Sequence, residues 1–184
     1  MYNVVMRKIL VFLILLLLIG CSKSTDKMVG QIWIETPNSL GTGFVLNEQY
    51  AVTNYHVVQM TRDINILLDG ERHKVVKTQC NVVMDIAFLV LPYIHEPPQI
   101  ALEYEAGDKV NMYDMVRDKT LTGAIQGIES YNGYEYIQTD LDTGPGNSGS
   151  PVRNEKGEII GVHTCSDGEY SYELPIQYVL EQLD

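Results

Sequence analysis

From residue 31 onward, apolar and β-branched residues come in short runs about ten residues apart, each closed by Gly, Pro, Asn or Asp. That spacing, with no sustained helical period, predicts a chain of short β-strands. Six fall at Gln31–Glu35, Gly43–Leu46, Tyr50–Thr53, Ile64–Leu68, His73–Gln79 and Ile86–Leu91. Asp69-Gly70 is a hairpin signal between two of them, since glycine supplies the positive φ of a two-residue turn. Pro92 to Gln99 contains three prolines and breaks the pattern. Six further runs follow at Lys109–Met115, Leu121–Ser130, Tyr134–Thr139, Pro151–Arg153, Glu158–Thr164 and Glu169–Leu174, with turn signals at Asn132-Gly133 and Lys156-Gly157. Pro175 then opens an amphipathic stretch, Ile176 to Leu183, that predicts a terminal helix with proline in its first turn. The expected fold class is all-β: two six-stranded antiparallel β-barrels, about 31–98 and 99–184, and a short C-terminal helix.

Residues 1–20 follow a different pattern. Arg7 and Lys8 precede an apolar run from Ile9 to Ile19, shorter than the roughly 20 residues of a comfortable membrane span. It matches the apolar region of a secretory signal peptide, with an uncleaved signal anchor as the alternative. Leu18-Ile19-Gly20-Cys21 resembles the lipobox of bacterial lipoproteins. The resemblance implies cleavage before Cys21, lipidation of that residue, a tether over 21–30 and a place at the bacterial cell envelope, outside the cytoplasm. Ser22 would imply outer-membrane sorting in a Gram-negative cell.

The full chain carries 13 basic and 24 acidic residues, a formal charge of −11. Loss of residues 1–20 removes Arg7 and Lys8 and no acid, which takes the charge to −13. Such a chain is not built to bind nucleic acid or anionic lipid by charge; contact with a membrane is expected only through the N-terminal lipid. The four histidines, His56, His73, His95 and His163, include no close-spaced ligand pair, so no metal or other cofactor is expected.

Candidate chemistry centres on Thr143-Gly-Pro-Gly-Asn-Ser148-Gly-Ser-Pro-Val152. Glycines around a serine let the backbone turn sharply, expose the hydroxyl and bring N–H groups near a substrate carbonyl. By itself the segment also reads as an ordinary hairpin turn. A serine nucleophile needs a base, and the base needs an orienting acceptor. His56, in Ala51-Val-Thr-Asn-Tyr-His56-Val-Val58, and Asp85, heading Asp85-Ile-Ala-Phe-Leu-Val90, are candidates for those roles. Taken singly, His56 reads as a loop histidine and Asp85 as a turn residue at a strand start.

Together with Gly41-Thr-Gly-Phe-Val-Leu46, and in the order His, Asp, Ser, these segments resemble the trypsin-like serine proteases of chymotrypsin fold, with the bacterial glutamyl endopeptidase and Deg/HtrA branches nearest. The resemblance covers residues 31–184 and implies a serine endopeptidase acting on protein or peptide substrates, with a monomer favoured. It implies Ser148 as nucleophile, His56 as general base, Asp85 as its partner, and the N–H groups of Gly146 and Ser148 as oxyanion hole. Asn147 replaces the aspartate that pairs with a newly cut N-terminus in digestive proteases. The class alternative is a non-catalytic binding lipoprotein on the same fold.

The segment from Ser148 to His163 is similar to the glutamyl endopeptidases. In that group a threonine five before the serine and a histidine fifteen after it bind the substrate glutamate; here these are Thr143 and His163. Asp142, six before the serine, stands where other trypsin-like members place an aspartate that selects lysine or arginine. Acidic or small residues before the cut are favoured, with basic residues as the alternative. With Cys21 lipidated, Cys80 and Cys165 remain, either bonded or as two buried free thiols. The resemblance places both beside the substrate cleft and implies a possible Cys80–Cys165 disulfide bracing the barrels.

Overall fold

The structure, a computed structural model, describes residues 30–183 apart from residues 60, 69 and 76. The expected signal peptide and Cys21 tether lie outside the described residues up to Gly30. Among the described residues there are thirteen strands and two short helices: β1 (Gln31–Glu35), β2 (Leu40–Val45), β3 (Tyr50–Asn54), α1 (Tyr55–Val58), β4 (Ile64–Leu68), β5 (Glu71–Val75), β6 (Lys77–Asn81), β7 (Ile86–Val90), β8 (Lys109–Asp114), β9 (Lys119–Tyr131), β10 (Tyr134–Thr139), β11 (Pro151–Asn154), β12 (Ile159–Ser166), β13 (Ser171–Pro175) and α2 (Ile176–Leu180).

The first seven strands make a curled antiparallel sheet in the order β5-β4-β1-β2-β3-β7-β6, and the last six close into a barrel in the order β10-β13-β12-β11-β8-β9. The all-β, chymotrypsin-like architecture is therefore present. Its first half differs from the expected six-stranded barrel in strand count and closure. The run His73–Gln79 is two strands, because β5 pairs with β4 whereas β6 pairs with β7 at the opposite edge. A run that pairs with β4 over its first part and with β7 over its second counts as two strands, one at each edge of the curled sheet.

Burial explains which runs carried the clearest signal. Along β7, Ala87 and Leu89 pack inside the first sheet with Ile32, Ile34 and Ile66. The alternate residues Ile86 and Phe88 pack between the two halves with Phe44 and Val52, and against Ile159, Val162, Leu174, Ile176 and Val179. Both faces are buried, so the strand is apolar throughout rather than alternating. A third core of Val110, Met112, Leu121, Ile137, Val152 and Ile160 fills the closed barrel. The helix α2 is short, but its buried Ile176 and Val179 belong to the core between the halves, and that packing holds it in place.

Candidate active site

Helix α1 is a single turn directly after β3. Its Val57 and Val58 are buried, which fixes the turn and leaves the His56 side chain 42% exposed on the other side. Asp85 precedes β7 with φ at +56°, the left-handed region that costs a non-glycine residue on the order of 1–2 kcal/mol. That backbone turns both ends of the residue toward one target. The Asp85 carbonyl accepts the Tyr55 N–H at 2.9 Å and an Asn54 Nδ2–H at 3.1 Å. Its carboxylate accepts the His56 N–H at 2.8 Å through Oδ1, and Oδ2 lies 2.6 Å from His56 Nδ1. An ionised carboxylate only accepts, so Nδ1 carries the hydrogen and Nε2 of the neutral ring is left as a base.

Ser148 sits on a turn held from both halves of the molecule. From β2, the Thr42 N–H donates to the Ser148 carbonyl at 2.9 Å, and Thr42 Oγ1 donates to the Gly146 carbonyl at 2.9 Å. From β12, the His163 carbonyl accepts the Gly149 N–H, and the His163 N–H donates to the Ser150 carbonyl, both at 2.9 Å. Gly149 has φ +85°, and a Cβ there would stand 2.0 Å from the Thr42 carbonyl oxygen. The close approach of Thr42 thus requires glycine after the serine. Asn147 is fully buried, and its Oδ1 accepts the Gly144 N–H at 2.9 Å, tightening the loop before the serine.

His56, Asp85 and Ser148 line one cleft of about 490 Å³. Thr143, Gly144 and Pro145 form one wall, and His163, Thr164, Cys165 and Ser166 form another. The structure thus brings Thr143 and His163 to the candidate triad. His163 is 3% exposed, and its Nδ1 lies 2.9 Å from Oε2 of Glu173. Thr143 Oγ1 lies 2.6 Å from Ser171 Oγ, whose own hydrogen goes to the Leu141 carbonyl at 2.8 Å. The Thr143 hydroxyl therefore donates to Ser171 and offers the cleft only an acceptor. Among the described residues, no three His, Cys, Asp or Glu side chains are grouped to hold a metal ion.

Two expectations are corrected here. Asp142 does not line the cleft. Its side chain is 80% exposed, with Oδ2 2.8 Å from Arg117 Nη1 and 3.9 Å from Lys119 Nζ, while Arg117 Nη2 also donates to its carbonyl. Two cations beside the β8–β9 hairpin hold it outside. The Cys80–Cys165 disulfide is not formed, and both thiols are free. Cys80 packs against the core of the first sheet, whereas Cys165 borders the cleft. Cys165 is exposed rather than buried as expected of a free thiol here, and desolvation, then the charges of Glu173, Asp85 and Asp167, push its thiol up, which disfavours the thiolate.

Sequence reasoning missed Glu173, Asp114 and Arg117. Asp114, 1% exposed, accepts the N–H groups of Val116 at 2.8 Å and Arg117 at 2.9 Å and pairs with the Arg117 guanidinium. Asn147 Nδ2 faces this carboxylate without good hydrogen-bond geometry. Burial pushes the Asp114 carboxyl up, but the Arg117 amide, its guanidinium and Asn147 outweigh it and hold the group below its usual range. A carboxyl lowered in the folded state contributes stability above its unfolded value of about 3.9, and that stability is lost as pH falls through the lower native value. Arg117→Leu is expected to lower the urea midpoint at neutral pH and to narrow the gap between the midpoints at about pH 7 and pH 3. An unchanged gap would contradict this role.

Comparison with known proteins identifies the family and the fold. A model of the trypsin-like peptidase domain matches residues 41–162. A probable periplasmic serine endoprotease DegP-like of Halomonas elongata is 30% identical over 82% of this chain and 35% of its own length. The mitochondrial serine protease HTRA2 of Bos taurus is 33% identical over 71% of this chain and 32% of its own. The chain thus spans about a third of the length of these relatives. The active form of the Rv3671c protease from M. tuberculosis shares the fold with a TM-score of 0.78 at 20% identity, covering 87% of this chain and 82% of that one. The chain belongs to the trypsin-like peptidase domain family, and within it is similar to the Deg/HtrA serine proteases.

Proposed function

We propose that the protein is a serine endopeptidase. The observation that carries this reading is the 2.6 Å pairing of His56 Nδ1 with Asp85 in the cleft that also holds Ser148. In this mechanism Ser148 Oγ attacks the peptide carbonyl and its proton passes to His56 Nε2. Asp85 fixes the tautomer and stabilises the imidazolium. The developing oxyanion is received by the N–H groups of Gly146 and Ser148. Among the described residues, neither amide donates to a backbone carbonyl outside regular helix and strand ladders. Such a donor is typically worth about 3 kcal/mol of barrier. His56 then protonates the leaving amine, and water repeats the sequence to release the new carboxyl end.

For the residue before the cut, acidic or small side chains are favoured over basic ones. Arg117 and Lys119 occupy Asp142 outside the cleft, while His163 faces the cleft as a donor when protonated. A location outside the cytoplasm is supported by the relatives named as periplasmic endoproteases, with residues 1–20 as signal peptide and Cys21 as the lipid anchor.

Incubation with a denatured protein, with the cuts mapped by mass spectrometry, tests the reaction. The protein is expected to cut and Ser148→Ala to leave the substrate intact. Asp85→Asn is expected to fold normally and to lower kcat on the order of 10⁴-fold, because an amide supports the wrong tautomer. Equal cutting by Ser148→Ala would overturn the mechanism. Mass spectrometry of the membrane-bound protein is expected to find Cys21 as the acylated N-terminal residue; a chain that still carries residues 1–20, or an unmodified Cys21, would contradict the anchor.

A further inference from the structure

The carboxyl group of Glu173 sits fully buried directly behind His163. The two residues are opposite each other across the β12–β13 pair, immediately before a register shift between His163 and Cys165. Opposed residues of an antiparallel pair project to the same face, so the carboxylate and the imidazole meet on that face, and His163 also borders the cleft. Glu173 Oε2 is 2.9 Å from His163 Nδ1, and Oε1 accepts the Thr139 hydroxyl at 2.9 Å. Among the described residues, His163 is the basic side chain within ion-pair distance of Glu173. A buried carboxylate of this kind needs hydrogen-bond donors, and Nδ1–H of His163 and the Thr139 hydroxyl are placed to supply two.

We propose that Glu173 is the positioning residue for substrate selection: it holds Nδ1–H of His163 and stabilises the imidazolium whose Nε2–H receives an acidic side chain before the scissile bond. This rests on the peptidase reading above. The Thr143 hydroxyl is committed to Ser171 and offers the cleft only an acceptor, whereas the protonated His163 ring on the facing wall supplies a donor at Nε2. Neutral His163, with Nδ1–H on Glu173, presents a lone pair at Nε2 and suits the amide hydrogens of a glutamine. When a glutamate enters, the ring takes up one proton from solvent and lies between two carboxylates. The other ionisable groups bordering the cleft are His56, Asp85 and the Cys165 thiol, none of which is paired with the His163 ring. Glutamine at position 173 would still accept Nδ1–H but would remove the charge.

Three quenched peptides that differ only in Glu, Gln or Leu before the cut test this. Glu173→Gln is expected to lower kcat/KM for the Glu peptide about tenfold or more, while the Gln and Leu peptides change by less than about threefold. An equal loss on all three, or an unchanged Glu-to-Gln ratio, would overturn the proposal. A wild-type protein that cuts none of them and takes no fluorophosphonate would instead overturn the peptidase reading. Imidazole ¹⁵N shifts of His163 in Ser148→Ala provide a readout independent of any change at 173. Both ring nitrogens are expected to be protonated with the Glu peptide bound and Nδ1 alone with the Gln peptide. A neutral ring beside a bound glutamate, or no binding of the Glu peptide, would refute it.

Discussion

The site depends on the clamping of the Ser148 turn between the two halves of the molecule. Thr42 of the first sheet holds the carbonyls of Ser148 and Gly146, and His163 of the barrel holds the backbone at Gly149 and Ser150. Neither half alone could fix the serine, since His56 and Asp85 belong to the first sheet and Ser148 to a loop of the barrel. The core between the halves sets their relative position, with Phe44, Val52 and Phe88 packed on Val162 and Leu174. Hydrophobic burial therefore fixes the approach of the sheets, and a few backbone hydrogen bonds convert that approach into geometry at the serine.

A second constraint lies in the backbone of Asp85. Its left-handed conformation is unfavourable in isolation, yet it lets one residue hold Asn54, Tyr55 and His56 together. The strain is offset by four hydrogen-bonding contacts, two of which fix the candidate base. Asp114 plays a comparable part on the other side, tying the β8–β9 turn to Arg117 and, through Arg117, to Asp142 at the start of the serine loop.

Much of this was legible in the sequence, for physical reasons. β7 and the first part of β12 are buried on both faces, so their apolar runs stand out. Turn residues such as Asn132-Gly133, both at positive φ, mark the hairpins by their own conformational preference. The division of His73–Gln79 into β5 and β6 was not legible, because which edge a strand joins depends on partners distant in sequence. Asp142 misled for the same reason: the resemblance to trypsin-like members put it beside the cleft, but Arg117 and Lys119, more than twenty residues earlier, decide where it points. Glu173 did leave a signal, as a carboxylate inside the strand Ser171-Tyr-Glu-Leu-Pro175, where the pattern calls for burial. Its meaning needed the cross-strand partner His163.

The most direct test of the account is the stoichiometry and position of fluorophosphonate attachment, read by intact mass and peptide mapping of the folded protein. One adduct per chain, on Ser148, with attachment slowed when His56 is replaced by alanine, is the expected result. A folded protein that takes no adduct, or takes it on another residue, would contradict the claim that this cleft activates Ser148 as a nucleophile.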